Sequence, residues 1–295
     1  MAMVRVTQNM IAGRSVASLQ AGLDRLARTQ ERLSTGKEIN RPSDSPTDAT
    51  TSMKIRVQVA QTQQHVRNAQ NGLGWLDVTD TTLQGMADNL RRARELALQG
   101  ANASTSPESA QALVTELRQI REGLLGQANT TYLDRPVFGG VTSGGKAFDA
   151  TGQYIGLDAP VERSVADGVK VRIDVPGTDV VGPNGANLFD DLAALETALL
   201  TGDKTGIQTG LAAMEQRSKA VTRAQAAVGA AYNRVDSAER KGQDALVTLR
   251  TALSEVEDTD LPKAMVDLQM HEVAYQAALA STSRVMQPSL VDFLR

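Results

Sequence analysis

A narrow apolar stripe runs along residues 12–33. Its members alternate spacings of four and three residues, and they are Ala12, Val16, Leu19, Leu23, Leu26 and Leu33. This spacing predicts one apolar seam on an α-helix whose other sides are polar. Four buried leucines contribute about 2 kcal/mol each, whereas ordering 22 residues costs about 1.5 kcal/mol each. The helix therefore needs a partner.

The best candidate partner is a second stripe near the other end of the chain. Its members are Met265, Leu268, Tyr275, Leu279 and Met286. Both stripes lie beyond breaks in the helical pattern, which leaves the terminal helices free to pair across subunits. We expect the stripe at Val16, Leu19, Leu23, Leu26 and Leu33 to meet the C-terminal stripe in an assembly of subunits.

Between these ends the pattern predicts two long helices. One runs from Pro46 to about Gln99, and the other from about Lys204 to Glu257. Their apolar residues keep a heptad register over many turns, which is typical of long helices packed along one seam. A third helix starts at Ser106-Pro107, and the short connection before it favours an antiparallel hairpin.

Residues 132–186 have a different composition, rich in glycine and proline with short apolar runs. The segment Val169-Lys-Val-Arg-Ile-Asp-Val175 alternates apolar and polar residues, as a half-buried strand does. Asp167-Gly168 before it matches a two-residue hairpin turn, with residues 161–166 as the partner strand. After this β-rich insert, Asn187 is placed to cap a short helix that Gly202 ends.

The predicted fold class is mainly α. It is a long antiparallel helical rod with terminal coiled-coil helices and a small β-rich insert. Five segments follow: an N-terminal assembly helix and hinge (1–44), a long helix and helical hairpin (45–131), the insert (132–186), a short helix with the second long helix (187–258), and a C-terminal assembly helix (259–295).

Composition excludes several classes of function. The net charge of −3 argues against a nucleic-acid binder, which would need a basic face. The absence of cysteine removes thiol chemistry and disulfides. No apolar run approaches the length of a membrane span, and the N-terminus lacks the apolar core of a cleaved signal. We therefore expect no membrane insertion, and either a cytosolic protein or export without a cleaved signal.

No catalytic, metal or cofactor residues are predicted, and hence no enzyme. His271-Glu272-Val-Ala-Tyr275 begins like a zinc-protease helix, but a tyrosine stands where the second histidine is needed. The glycine-rich residues 139–145 lack the Lys-Ser/Thr ending of a phosphate loop. One basic cluster, Arg91, Arg92 and Arg94 beside Glu95, is either a solvated helix face or a partner surface.

Several motifs together resemble the flagellin superfamily. At the N-terminal side they are Arg32-Leu-Ser-Thr-Gly-Lys-Glu-Ile-Asn-Arg-Pro-Ser-Asp44 and Arg94-Glu-Leu-Ala-Leu-Gln-Gly-Ala-Asn102. At the C-terminal side they are Val228-Gly-Ala-Ala-Tyr-Asn-Arg-Val235 and Glu257-Asp-Thr-Asp-Leu261. The resemblance covers both flanks, roughly residues 5–140 and 187–295, and leaves the insert unmatched.

Two details resemble the hook–filament junction branch of the superfamily more than filament flagellins. One is the loop Asn40, Arg41, Pro42, Ser43 and Asp44, which contains proline where flagellins usually have small residues. The other is the tail Ser289-Leu-Val-Asp-Phe-Leu294. Filament flagellin is the alternative that these details leave open.

The resemblance implies a structural protein of the bacterial flagellum. It implies export through the flagellar type III apparatus, terminal segments that are flexible in the monomer, and a coiled coil that forms when subunits stack. The implied partners are other copies of the chain, the first hook-associated protein, flagellin, and an export chaperone on the C-terminal segment. A different class of function follows from residues 92–99, which resemble a flagellin surface recognised by a toll-like receptor of the host.

Overall fold

The computed structural model describes residues 2–102 and 106–286. They divide into two compact units. The first unit combines residues up to Ala60 with residues from Val247 onward, and the second comprises Gln61–Leu246. The helices α2 and α6 contribute residues to both units. The five-segment division remains a prediction.

Helices dominate the described part of the chain. They are α1 (Ala2–Thr35), α2 (Pro46–Asn102), α3 (Pro107–Ala128), α4 (Gly177–Val181), α5 (Leu188–Thr201), α6 (Lys204–Glu257) and α7 (Leu261–Met286). The mainly α, flagellin-like fold class is confirmed. The bounds of α6 agree with the sequence prediction at both ends, and α2 ends three residues later than predicted.

The core of the second unit is built along the predicted helical seams. Buried leucines and valines from four helices form it, among them Leu83, Leu90, Leu117, Leu124, Leu192, Leu195, Val221, Val228 and Val235. Aromatic residues from the insert complete the core. The ring of Phe148 packs edge-to-face against Tyr154, with centroids 5.4 Å apart, and against Phe189 at 6.1 Å. Full burial of each such side chain contributes about 1.5–3 kcal/mol.

The insert contains two antiparallel hairpins, besides isolated bridges that join Gly140 to Leu157 and Phe148 to Tyr154. The predicted one pairs β3 (Glu162–Ala166) with β4 (Val169–Arg172) around the turn at Asp167-Gly168. The other pairs β1 (Thr131–Tyr132) with β2 (Arg135–Pro136). Its two turn residues, Leu133 and Asp134, have φ values of 49° and 61°, the left-handed pair that a tight hairpin turn requires.

The short helix α5 shows how directly local sequence sets its bounds. The side chain of Asn187 accepts hydrogen bonds from the backbone N–H groups of Phe189 and Asp190, and the Asp190 carboxylate accepts from the Asn187 backbone. This reciprocal arrangement satisfies donors that the first turn leaves open. Gly202 ends the helix in a left-handed conformation, with φ of 68°. Both predicted signals are confirmed.

Candidate assembly surface

The terminal helices α1 and α7 pack against each other in the first unit. One contact between them lies where Tyr275 meets Gly22. A Cβ added at Gly22 would lie 3.4 Å from the Cδ2 atom of the tyrosine ring, at ordinary van der Waals distance, so the ring lies directly against this part of α1. The two helices proposed as partners are thus in contact within one chain.

The predicted seam residues are only partly covered by this contact. Half-buried members are Leu19, Leu26, Leu33, Leu268 and Tyr275. Exposed members are Val16, Leu23, Met265 and Leu279. The side chain of Met286 lies outside the described part. Pairing of these residues between subunits stays a prediction, and four exposed apolar side chains leave surface for it.

A second apolar stripe on α7 was missed by the sequence reasoning. Val266, Met270 and Val273 are 64%, 57% and 66% exposed. Their spacing of four and three places them on the side of the helix opposite Leu268 and Tyr275. These three residues follow the same helical periodicity as the predicted stripe, but the prediction considered only the face that carries Leu268 and Tyr275. A helix that is apolar on two opposite faces is typical of one that becomes surrounded by other helices.

The breaks before α2 and after α6 are joined by backbone hydrogen bonds. The N–H of Glu38 donates to the carbonyl of Glu257 at 2.7 Å, and the N–H of Thr259 donates to the carbonyl of Gly36 at 3.0 Å. Between them Lys37 and Asp258 form an isolated antiparallel bridge. The predicted hinge at the end of α1 is therefore tied, within the first unit, to the connection between α6 and α7.

Four charged side chains surround this bridge, and we call them the clasp: Lys37, Arg56, Glu257 and Asp258. The Glu257 side chain is only 4% exposed and accepts hydrogen bonds from Arg56 Nε at 2.7 Å and Nη2 at 2.8 Å. The ammonium of Lys37 lies 2.5 Å from Asp258 Oδ1 and 3.5 Å from Glu257 Oε2. A buried carboxylate is stable here because two cations face it.

These contacts shift the acid–base equilibria of the clasp. The hydrogen bond from Arg56 is the main cause that lowers the pKa of Glu257, and the hydrogen bond from Lys37 lowers that of Asp258. In turn, the hydrogen bond to Asp258 raises the pKa of Lys37. Each shift favours the charged form in the folded state.

The clasp is expected to weaken in acid. Carboxylates with lowered pKa values stabilise the fold above their unfolded pKa, and this contribution is lost as the pH falls through the folded value. From ordinary values of 4.5 for Glu257 and 3.8 for Asp258, the loss begins below about pH 4.5. Because the Arg56 side chain is 63% exposed and therefore screened by solvent, we expect the loss of stability to be about 1 kcal/mol. Hydrogen exchange of the α7 amides, corrected for the pH dependence of the intrinsic exchange rates, measures this loss of stability.

Glu257→Gln is the control for this pH dependence. The variant should open α7 more readily near pH 7 and lose part of the acid dependence, since one titrating carboxylate is gone. At the alkaline end, the raised pKa of Lys37 keeps its contribution until the pH exceeds about 10.5. Identical acid profiles for the variant and the unmodified protein would exclude Glu257 as the titrating group.

The proline-containing loop folds into a closed turn beside the clasp. One carboxylate oxygen of Asp44 accepts from the backbone N–H groups of Asn40, at 3.2 Å, and Arg41, at 2.8 Å. The amide of Asn40 donates to the Lys37 carbonyl, and Arg41 pairs with Glu31 at 3.2 Å. Pro42 and Ser43 occupy the tip between these bonded residues. The short polar side chains thus fix the loop conformation locally.

In the second unit, the basic cluster is largely neutralised by local acids. Arg92 lies 2.6 Å from Glu116 on α3 and 3.1 Å from Glu95, and Arg91 pairs with Asp88. The hydrogen bond to Glu116 is the main cause that raises the pKa of Arg92. The hydrogen bond from Lys219 is the main cause that lowers the pKa of Glu215, and the charge of Arg94 adds a smaller effect. Recognition of this surface by a receptor or other partner stays a prediction.

The described residues show neither a cluster of metal ligands nor a membrane-spanning helix. Among them, no three histidine or acidic side chains come together as a metal site would require. No helix within 2–102 or 106–286 is long and apolar enough to cross a bilayer.

Family models match both flanks of the chain. Residues 6–138 match the bacterial flagellin N-terminal helical region, and residues 211–294 match the bacterial flagellin C-terminal helical region. Together the two matches span well over half of the sequence, and they leave most of the insert outside.

Individual relatives extend over nearly the whole chain. A flagellin of Halalkalibacterium halodurans is 25% identical and covers 96% of both chains. The flagellar hook-associated protein 3 of Salmonella typhimurium is 22% identical and covers 99% of this chain and 100% of that protein. Among solved structures, Bacillus cereus FlgL has a TM-score of 0.60 at 24% identity, over 68% of this chain and 99% of its own. At these identities the structural likeness shows a shared fold.

Proposed function

Because the chain belongs to the flagellin superfamily, we propose that it joins the hook to the filament of the bacterial flagellum. The coarser role, an axial structural protein of the flagellum, follows from the family. In the finer role, one end of the assembled ring contacts the first hook-associated protein, and the other presents a surface on which flagellin polymerises. The role is structural and non-enzymatic.

The observation that carries an assembling role is the apolar surface of the first unit. Val266, Met270 and Val273 on α7, with Met53 and Val57 on α2, are all more than half exposed. Exposed apolar side chains that recur along paired helices are costly in a monomer and are typical of surfaces that other subunits cover. The junction assignment draws support from the closed, proline-containing loop at residues 40–44 and from the full-length relative named hook-associated protein 3.

We also propose a route of export and a set of binding partners for the chain. The chain leaves the cell through the flagellar type III apparatus, and an export chaperone covers its C-terminal segment beforehand. Coverage of that segment is physically reasonable because α7 carries two apolar faces. Copies of the chain then cover those faces for one another in the assembled ring.

Localisation on purified flagella tests the junction role against the flagellin alternative. A labelled antibody should mark a single band where hook and filament meet, with flagellin antibody marking the rest of the filament as the control. Staining along the whole filament would favour filament flagellin, the assignment that the Halalkalibacterium halodurans relative suggests. In a strain lacking the protein, flagellin should be found in the medium instead of in filaments.

A further inference from the structure

Two arginines of the insert lie against the same turn of α2 in the second unit. The guanidinium carbon of Arg135, on β2, lies 5.7 Å from the ring centroid of Trp75. From β3, Arg163 donates through Nε to the side-chain oxygen of Asn71 at 3.1 Å. Asn71 and Trp75 are four residues apart, hence neighbours on one face of the helix. The fold thus brings two cations from separate strands to one place.

Beneath the two arginines, Tyr132 packs closely against Trp75 and Gly74 of α2. Tyr132 meets the indole of Trp75 edge-on, with centroids 6.1 Å apart. A Cβ added at Gly74 would lie 2.5 Å from the tyrosine hydroxyl oxygen, so a larger residue here would displace the tyrosine ring. The aromatic pair and the glycine hold the β1–β2 hairpin, and with it Arg135, against α2.

Apart from the favourable cation–π contact between Arg135 and Trp75, the electrostatics of the two arginines are unfavourable. Within residues 2–102 and 106–286, neither Arg135 nor Arg163 forms an ion pair with a carboxylate. Burial, and then the charge of Arg135, lower the pKa of Arg163. The Nε group of Arg135 is buried and has no hydrogen-bond acceptor in the described part. A half-buried pair of like charges destabilises a fold unless an anion joins it.

We propose that Arg135 and Arg163 together bind a carboxylate side chain that projects from a neighbouring subunit. The inference rests on the proposed function, because it needs a neighbour in an assembly. Two guanidinium groups match the planar, multidentate geometry of a carboxylate. Both arginines are half-buried, which favours a projecting side chain over a flat surface. With 34 acidic residues against 31 basic ones, copies of the chain itself supply such groups.

Trp75 is the one tryptophan of the chain, and it provides the readout. The full-length protein is titrated with hexaglutamate at constant ionic strength while the emission of Trp75 is followed. Binding should shift the cation that lies over the indole and produce a saturable change at millimolar peptide. Arg135→Gln and Arg163→Gln should each weaken the apparent affinity roughly tenfold, because each removes a charged hydrogen-bonding partner.

Arg223→Gln is the matched control, since it removes one positive charge from an exposed position elsewhere in the same unit. It should respond as the unmodified protein does, and circular dichroism should show that all variants are folded. No saturable response in the unmodified protein, or an unchanged response in both arginine variants, overturns the proposal. A response to inorganic phosphate with none to hexaglutamate would assign the site to small free anions and overturn it too. A protein located at the junction but unresponsive to hexaglutamate would disprove this inference alone.

Discussion

Val273→Glu is expected to abolish incorporation into the flagellum and to leave the monomer folded. The valine is 66% exposed, so a glutamate there costs the isolated chain little. In an assembly that covers this face, the same carboxylate would lie among apolar side chains without a cation. That penalty is several kcal/mol per subunit, and it recurs at every copy. Filaments per cell, counted by electron microscopy, should fall at least tenfold.

Gln276→Glu is the matched control because it adds the same charge to the same helix at an exposed polar position, about 90° around the helix from the centre of the second stripe. It should assemble normally. Secretion and circular dichroism of both variants separate an assembly defect from failed export or folding. Normal filament numbers in Val273→Glu would mean that the second stripe of α7 stays in contact with solvent.

Of the substitutions proposed for this protein, Gly140→Ala is expected to lower the free energy of unfolding most. Gly140 has φ of 60°, and a Cβ there would lie 2.2 Å from the backbone carbonyl oxygen of Leu157. The left-handed conformation alone costs an alanine about 1–2 kcal/mol. The collision adds more because backbone, which cannot rotate away, must move. We expect a total of roughly 3–5 kcal/mol, measured as the free energy of unfolding of the second unit.

Gly144→Ala isolates the conformational part of that cost. Gly144 has φ of 75°, and nothing lies within 4 Å of an added Cβ. This variant should lose only about 1–2 kcal/mol. Equal losses for the two variants would show that the loop around Gly140 adapts to the extra methyl group.

The long helices were predictable because their periodicity persists over many turns. A heptad pattern repeated from Val221 to Val256 leaves little doubt about helix type, and the turn residues near Lys204 and Glu257 set its ends. The hairpin at Asp167-Gly168 was predictable from a strong local turn signal. The resemblance to the flagellin superfamily, drawn from motifs on both flanks, is confirmed by the two family models.

What escaped prediction depends on contacts between distant residues. The β1–β2 turn places Leu133 and Asp134 in the left-handed region, and because leucine rarely adopts this conformation, the turn was not predicted. Trp75 lies in the core although the helical periodicity did not mark it as a core residue, because Tyr132 and Arg135 of the insert cover it. The meeting of Arg135 with Arg163 likewise exists only once the strands are placed.

The clasp sets an order for folding. Lys37 and Asp258 are 221 residues apart, so closing that loop in an unstructured chain costs on the order of 5 kcal/mol. The ion pairs of the clasp, whose cations Lys37 and Arg56 are 41% and 63% exposed, contribute too little to offset such an entropy loss. Residues 61–246 separate Lys37 from Asp258 along the sequence, and the entropy cost of closing the loop falls once these residues are folded. We therefore expect the clasp to close late and, in the export route proposed above, only after both ends of the chain have left the channel.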